Sequence, residues 1–544
     1  MFECPRCGGE LRFDIASQGM LCPFCNSSYD PKTVKSGHAA TEQEGVTPEM
    51  LGEQDPDTFE ATVFSCPQCG GEILSMDNEA TSFCSFCGAS TILSSRLSQE
   101  KKPDYIIPFQ VTKDECKNAY TKMMKGAFFA PKELKQEGSI DKFRAIYMPY
   151  WVYDMRQNSN LHLMANKSYR SGNYRITEDY VISGKLDGYY KGVSFDASSS
   201  FADNISETIA PYDVKGMSEF TPAYLAGFYA DTADVESDLY LPDAEELANE
   251  STMKELEKMP ELRDKTLKKP KEDQINRVLG TKCNKVDRAM FPVWFLSYRK
   301  GDRVAYATVN GQTGKVASDL PVDTKKYLLV SLLLAVPLFV LLNLFLTASP
   351  GFVMLVCALL ALITMFIHVS EIKEIGRTEL QLDNKGYLSK QGNQAELEKT
   401  PFKKIKVKVE YSSSRLVWKV ALAYLVFLLA IPIVGSLGVL IQSAKIYVGI
   451  MFVISIFPLI YGLKMYNLIP QKYRKPGFMW GFVAMLISLF VTIINPVADW
   501  IYYAGAVASL AAVFCTMLSI IHGYNILSTR PLPQLNKRGG EEHE

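Results

Sequence analysis

Two copies of one cysteine motif near the N-terminus constrain the fold of this chain more than any other feature. The sequence C-P-x-C-G-G-E at 4–10 recurs at 66–72, and a second C-x-x-C pair follows fourteen residues after the first in both copies. Each cysteine of the second copy therefore lies 62 positions after its counterpart. The spacing predicts two zinc-binding groups of four thiolates, namely Cys4, Cys7, Cys22 and Cys25, and Cys66, Cys69, Cys84 and Cys87.

A zinc site of four thiolates is structural, because tetrahedral coordination leaves no open position for a water molecule. Each C-x-x-C predicts a tight turn around the ion, and Gly8, Gly70 and Gly88 are placed to supply its unusual backbone angles. A ribbon of about 30 residues buries too little apolar surface to fold alone, so metal binding supplies most of its folding free energy. We therefore predict zinc ribbons over 1–30 and 63–97, since coincidental or redox-active pairs would not require this matched spacing.

The charge of the N-terminal region limits what the ribbons bind. Residues 1–98 hold fourteen acidic and five basic side chains, a net charge of 5 − 14 = −9. The ribbons resemble those of transcription factor IIB and of primosomal helicases, which implies nucleic-acid binding, but phosphates would repel this region. Docking of a protein is the favoured role, and a purely structural cap is the alternative. Residues 31–62 are polar and acidic, which predicts a flexible linker.

The C-terminal part of the chain contains six apolar stretches, each long enough to cross a hydrocarbon core of roughly 30 Å. They lie near 327–347, 351–369, 418–440, 446–464, 477–494 and 500–523. Lys and Arg collect after the second and fourth stretches, which predicts that these connections are cytoplasmic, including the loop over 370–415. We therefore predict a six-span region over 323–527 with both termini inside, followed by a polar tail over 528–544.

The predicted spans carry no acidic or basic residue near their centres, so a transport path has little support. His368 and His522 lie toward cytoplasmic ends and are predicted to be interfacial or packed. We expect no secretory signal before the first span, and eight of the twelve cysteines lie in C-x-x-C pairs, as expected for thiols in a reducing compartment. We expect the ribbons and the middle of the chain in the cytosol.

The sequence of residues 98–322 predicts a cytosolic domain of mixed α/β content that is rich in β-strands. We assign it to the α+β class. Helices are expected near 112–125 and 243–266. The segment N-G-Q-T-G-K at 310–315 resembles a phosphate-binding loop, but a valine stands where that loop requires its first glycine and another replaces its Ser/Thr. A β-hairpin is predicted there instead.

No catalytic motif is present in the chain. Cys116 and Cys283 are solitary, and the ordinary role of such residues is that of a partly buried thiol rather than a nucleophile. We therefore expect that the protein is not an enzyme and that zinc, two ions per chain, is its cofactor.

Several segments after the ribbons are similar to one family of bacterial membrane-anchored proteins with TFIIB-type zinc ribbons. They are Tyr105-Ile106-Ile107-Pro108-Phe109, Phe128-Phe129-Ala130-Pro131, Met148-Pro149-Tyr150-Trp151 and the segment 309–315. The resemblance covers roughly 60–325. Some members are encoded beside phage-shock-protein-A-like and SPFH, virion-core-like proteins. The resemblance implies that such a peripheral partner is placed at the membrane during envelope stress, although simpler members have one ribbon and one or two spans.

These features predict a multi-pass adaptor in the bacterial cytoplasmic (inner) membrane, whose ribbons dock or recruit a cytosolic partner protein. A first alternative is a channel or transporter that its cytosolic ribbon domain regulates. A second alternative is a membrane-tethered nucleic-acid-binding protein, which the acidic N-terminus disfavours.

Overall fold

The structure is a computed structural model that describes residues 2–34, 57–76, 83–90, 93–345, 349–390, 444–467 and 474–535. Within this part of the chain, a small N-terminal sheet is followed by a large mixed sheet with flanking helices, here called the sheet domain. A bundle of long apolar helices comes next. The fold therefore has the predicted three kinds of region in the predicted order.

The first ribbon is a three-stranded antiparallel sheet of β1 (Arg12–Asp14), β2 (Gly19–Leu21) and β3 (Ser28–Tyr29). The other described strands form one 13-stranded sheet with the main order β10-β7-β13-β8-β11-β5-β4-β6. In chain order they are β4 (Thr58–Ser65), β5 (Glu72–Ser75), β6 (Ser94–Lys101), β7 (Tyr105–Ile106), β8 (Arg144–Ser171), β9 (Tyr174–Asp196), β10 (Ser218–Glu219), β11 (Tyr229–Ala230), β12 (Thr266–Leu267), β13 (Thr281–Lys300), β14 (Arg303–Asn310), β15 (Val316–Ser318) and β16 (Arg530–Pro531).

Strand β4 corrects the predicted boundary of the linker over 31–62. Phe59, Ala61 and Val63 are buried on one face of β4, and the strand pairs with β6 along its whole length. This period-two alternation is that of a half-buried strand. The linker therefore ends before Thr58, and the second ribbon is held between β4 and β6. Residues 35–56 of the linker lie outside the described residues.

Strands β8 and β9 form a hairpin of 28 and 23 residues that turns at Gly172, where φ is +61°. Only the first half of β8, up to Gln157, pairs with β13. Beyond that point, Leu161 and Leu163 pack against Met253 and other residues of the flanking helices. The far half of the hairpin thus has a small core of its own.

The sheet domain carries α1 (Lys113–Gly126), α2 (Glu137–Ile140), α3 (Asp203–Ile209), α4 (Leu241–Lys258) and α5 (Glu272–Leu279). The helix predicted near 112–125 is α1, and it begins with a capping box in which Thr112 and Glu115 each bond the other's backbone N–H. The helix predicted over 243–266 is α4, and it ends at Lys258 because Pro260 cannot continue it.

The apolar part of the chain forms α6 (Thr324–Phe345), α7 (Pro350–Glu379), α8 (Lys385–Lys390), α9 (Ala444–Tyr466), α10 (Gly477–Ile494) and α11 (Asp499–Leu527). Within the described residues, five of these helices, all except α8, are long and apolar enough to cross a membrane. The chain is therefore a membrane protein. The span predicted at 418–440 lies outside the described residues.

Two predicted boundaries in this region were wrong. The span predicted to end at 369 continues as α7 to Glu379, so the first residues of the loop predicted over 370–415 are helical. The polar tail predicted over 528–544 returns to the sheet domain, where Arg530 and Pro531 form β16 against β14. The second difference follows from an ion pair that Arg530 forms with Asp383, in which the two side chains are only 11% and 10% exposed. The described residues end at Leu535.

One end of the helical bundle contacts the sheet domain. The Asn525 side chain donates to the carbonyl of Val322 and accepts from its N–H, which joins the start of α6 to the end of α11. The rings of His368 on α7 and Tyr466 on α9 both contact Phe478 in the first turn of α10. The starts of α6 and α10 and the ends of α7, α9 and α11 therefore lie together on this side.

Candidate metal centres

The eight predicted cysteines form two clusters, and within each cluster the four sulfur atoms all lie within 4.8 Å of one another. In the first ribbon, Cys4 Sγ is 3.6 Å from Cys25 Sγ and Cys7 Sγ is 3.4 Å from Cys22 Sγ. The corresponding distances in the second ribbon are 3.8 and 3.7 Å. Tetrahedral Zn–S bonds of about 2.3 Å place sulfur atoms roughly 3.8 Å apart. Both clusters therefore fit a four-coordinate metal ion that prefers thiolates.

Residues in the left-handed backbone conformation close the turns that carry the cysteines. The predicted Gly8, Gly70 and Gly88 have φ values of +71°, +73° and +68°. The fourth turn uses Asn26, with φ of +55°, at the position that corresponds to Gly88 in the repeat. The sequence analysis missed Asn26, although its repeat position and the tolerance of asparagine for this conformation were the available signals.

Cys25 shows how the local sequence favours the metal-binding form of the thiol. Its Sγ lies 3.3 Å from the Ser27 hydroxyl oxygen, and hydrogen bonds with the side chain and the backbone of Ser27 lower the pKa of Cys25 to about 6. The thiolate is the form that binds metal. The hydrogen bonds of Ser27 therefore favour the thiolate form of Cys25.

The second ribbon is part of the core of the sheet domain, and all four of its cysteines are buried. Phe86 packs on Phe295 of β13 with ring centroids 6.3 Å apart, and its carbonyl accepts from the Tyr306 hydroxyl at 2.7 Å. The Cys69 carbonyl accepts from the backbone N–H of Leu535 at 2.7 Å. The second cysteine cluster therefore lies inside the domain, and its second turn, 84–87, is fully buried, whereas Pro67 and Gln68 of its first turn are exposed.

The first ribbon packs on the domain through its strands and leaves its cysteine-bearing turns exposed. The Phe13 N–H donates to the Ala226 carbonyl at 3.0 Å, and the Gln18 side chain donates to the Phe109 carbonyl at 2.7 Å. Cys7, in contrast, is exposed. The two ribbons share one sequence pattern but differ in their surroundings.

Phe24 and Phe86 occupy equivalent positions in the two copies of the repeat, 62 residues apart. A Cβ on Gly9 would lie 2.5 Å from the Phe24 ring, and a Cβ on Gly71 would lie 2.6 Å from the Phe86 ring. Both rings thus lie on the glycine of the first turn in the same way. Phe24 is nevertheless 76% exposed, whereas Phe86 is 1% exposed. The sequence analysis did not identify Phe24, although the repeat itself marks the position.

The other residues considered from the sequence stay apart from the metal centres. Cys116 is buried and Cys283 is partly buried, and burial raises the pKa of both thiols, which disfavours the reactive thiolate. The 310–315 segment is the predicted hairpin turn, in which the Asn310 side chain accepts from the backbone N–H groups of Gln312 and Thr313. Those N–H groups already have partners, so this turn is not arranged as a phosphate-binding loop.

In the helical bundle, His368 is buried and His522 is half-buried. Glu371, one turn after His368 on α7, is also buried and was missed because the predicted span ended at 369. Glu371 follows His368 by three residues, so the two side chains lie on the same face if the helix continues, and this spacing was the available signal.

A comparison with curated proteins finds the uncharacterised protein YdjG of Bacillus subtilis (strain 168), which is 26% identical over 338 residues. The match covers 60% of this chain and 91% of YdjG. No family model matches the chain, and no solved structure does so.

Proposed function

We propose that the protein is a membrane-anchored adaptor that uses its first zinc ribbon to recruit a partner protein. The observation that carries this proposal is the different exposure of Phe24 and Phe86, two equivalent residues in the same side-chain pose. In the proposed arrangement, the helices hold the chain in the bacterial cytoplasmic membrane, and the ribbons and sheet domain lie in the cytosol.

The packing of the second ribbon on the sheet domain illustrates how such a ribbon can dock on another protein. Its Phe86 ring lies against Phe295 on β13, and the Phe86 backbone carbonyl accepts a hydrogen bond from the Tyr306 hydroxyl of β14. Phe24 presents the same apolar surface with no such cover in the described part of the chain. Buried aromatic residues supply much of the binding energy at protein interfaces. Phe24 would serve as the anchor residue for a partner.

The geometry also favours a low entropic cost of docking. The Phe24 ring rests on Gly9, and two metal-bound turns would hold both residues in place. A rigid anchor loses little conformational freedom when it binds. Zinc at Cys4, Cys7, Cys22 and Cys25 would therefore contribute to binding by fixing the shape of the tip.

The chemistry of the tip favours a protein over a nucleic acid. Phe24 is flanked by Pro23 and Cys25, and Arg6 is the one cation in the turns of the first ribbon, within a region of net charge −9. Nucleic-acid affinity depends on several Lys or Arg contacts to phosphates. An SPFH-like or phage-shock-protein-A-like partner is the candidate that the family resemblance implies.

The test is photo-crosslinking in native membranes. A photoreactive phenylalanine analogue at position 24 is expected to capture a discrete partner, and the same analogue at Leu97, which is 70% exposed on β6, serves as the matched control. The partner would be identified by mass spectrometry and purified. Capture from both positions equally would contradict the proposal.

Affinity measurements with the purified partner complete the test. Phe24→Ala is expected to weaken binding by roughly 30-fold, the effect of a hot-spot residue worth about 2 kcal/mol. Leu97→Ala should bind as the unchanged protein does, and both variants should keep their full zinc content. Unchanged affinity of Phe24→Ala would show that the ribbon tip is not the docking surface.

A further inference from the structure

A buried acid and base lie side by side in the helical bundle, where α7 contacts α10 and α11. His368 is 2% exposed and Glu371 is 4% exposed, and His368 Nδ1 lies 3.7 Å from Glu371 Oε2. Within the described residues, neither carboxylate oxygen of Glu371 has a hydrogen-bond partner. An ionisable side chain in such a position is costly and indicates a functional site.

The hydrogen bonds of His368 determine which of its nitrogens faces the acid. Nε2 lies 3.2 Å from the carbonyl oxygen of Lys475, which can only accept, so Nε2 carries a hydrogen. In neutral histidine the other nitrogen, Nδ1, then has a lone pair, and this lone pair points toward the Glu371 carboxylate. Two hydrogen-bond acceptors that face each other repel, unless a proton is bound to one of them.

We propose that His368 and Glu371 together bind one exchangeable proton in the membrane region. With the proton on His368, the pair is an imidazolium and a carboxylate. With the proton on Glu371, it is a neutral imidazole and a carboxylic acid. Both forms have zero net charge, which lowers the cost of burial, and removal of the proton leaves an uncompensated negative charge.

Two glycines allow the helices to approach this pair closely. A Cβ on Gly523 of α11 would lie 2.7 Å from Glu371 Oε2, and a Cβ on Gly477 of α10 would lie 2.7 Å from His368 Nε2. Small residues at helix contacts in membranes permit such close packing. Loss of the proton would therefore place the negative charge directly against α11.

Other charged or titratable groups near the pair come from each neighbouring element. His522 comes from α11, Lys475 from the segment before α10 and Tyr466 from the end of α9, and they line a small cavity beside His368. Arg303 of the sheet domain lies near enough to His522 to affect it electrostatically. On α7 itself, Glu374 follows one turn later and forms an ion pair with Arg377.

A small cavity and a wider crevice lie beside His368 on the side of the sheet domain. The cavity beside His368 measures about 10 Å³, the lower limit for one water molecule. A wider crevice of about 350 Å³ shares Lys475, Ser519 and His522 with it and is bordered by Thr324 at the start of α6. His522 Nε2 has no hydrogen-bond partner in the described part of the chain. In this proposal, the crevice is the side from which a proton would reach His368.

The experiment is infrared difference spectroscopy of the full chain in lipid nanodiscs as pH is varied, with labelled glutamate and histidine to identify the bands. Besides the steps of its other glutamates and histidines, the unchanged protein is expected to show one step from this pair, in which a carboxyl or imidazolium band disappears as pH rises. Glu371→Gln and His368→Asn should each remove that step or move it by about one pH unit or more. Glu374→Gln, one turn away, should leave it unchanged.

Size-exclusion chromatography and helix content would establish that both variants fold before their spectra are compared. If only one of them folds, that variant and the unchanged protein suffice. A step that persists unaltered in a folded Glu371→Gln or His368→Asn variant would overturn the proposal. So would the absence of any such step in the unchanged protein over the pH range in which it stays folded.

Discussion

The Arg303 guanidinium of β14 lies 2.7 Å from the Glu379 carboxylate at the end of membrane helix α7, and both side chains are buried. The same guanidinium donates to the carbonyls of Ile526 and Thr529, at and just after the end of α11, at 2.8 Å each. One side chain therefore joins the sheet domain to two membrane helices. Strand β14 also contacts the second ribbon, because its Tyr306 hydroxyl donates to the Phe86 carbonyl.

Arg303→Ala is expected to destabilise the protein by about 3–5 kcal/mol, because it leaves Glu379 buried without its charge partner. Glu379→Gln in the same chain should restore part of that loss. Lys258→Ala is the matched control, since its ion pair with Glu255 is exposed and should contribute little. The measurement is denaturant unfolding in nanodiscs, followed by tryptophan fluorescence. Equal stability of Arg303→Ala and the control would contradict this role.

Metal should leave the two ribbons at different rates. Cys7 is exposed and Cys25 is half-exposed, whereas all four cysteines of the second ribbon are buried. A chromogenic chelator is therefore expected to remove one ion per chain quickly and the second only when the domain unfolds. Cys7→Ser should lower the metal content and leave the sheet domain folded, and Cys69→Ser should destabilise that domain. Simultaneous loss of both ions would show that the second ribbon is not protected.

Equivalent substitutions in the repeat should have unequal effects on stability. Phe86→Ala empties a packed site against Phe295 and should cost about 3–5 kcal/mol. Phe24→Ala removes an exposed side chain and should change stability by no more than about 0.5 kcal/mol. Thermal and denaturant unfolding of both variants measure this difference. A large loss with Phe24→Ala would mean that Phe24 supports the fold and is not kept free for a partner.

Glu207 on α3 should make stability depend on pH. Burial raises its pKa to about 8 from the ordinary value of 4.5, with a further contribution from Asp203. Between these two pH values the folded chain keeps a proton that the unfolded chain has lost, so stability falls as pH rises through this window. Glu207→Gln should remove this fall in the free energy of unfolding. Above this pH range, the variant should be more stable than the unchanged protein by about 2 kcal/mol.

The control for this prediction is Glu255→Gln, whose carboxylate is exposed on α4. It should leave the pH dependence of unfolding as it is in the unchanged protein. Parallel stability curves for Glu207→Gln and the unchanged protein from acid to alkaline pH would show that Glu207 is already ionised in the folded state.

The sequence alone determined the features that depend on neighbours along the chain. The C-x-x-C spacing defined both groups of four ligands, because two turns with a fixed separation can close around one ion. The helix near 112–125 was predictable because Thr112 and Glu115 satisfy its first N–H groups locally. The apolar stretches indicated five of the helices for the same reason, since length and hydropathy are local properties.

The tertiary structure decided which of these local features are buried. Phe24 and Phe86 belong to nearly identical motifs, and contacts of Phe86 with Phe295 and Tyr306, more than 200 residues later, distinguish them. The return of Leu535 to Cys69 and the approach of Gly523 to Glu371 likewise join distant parts of the chain. Burial depends on such long-range packing, which no local pattern encodes. The exposed ribbon tip and the proton-binding pair are therefore visible only in the folded chain.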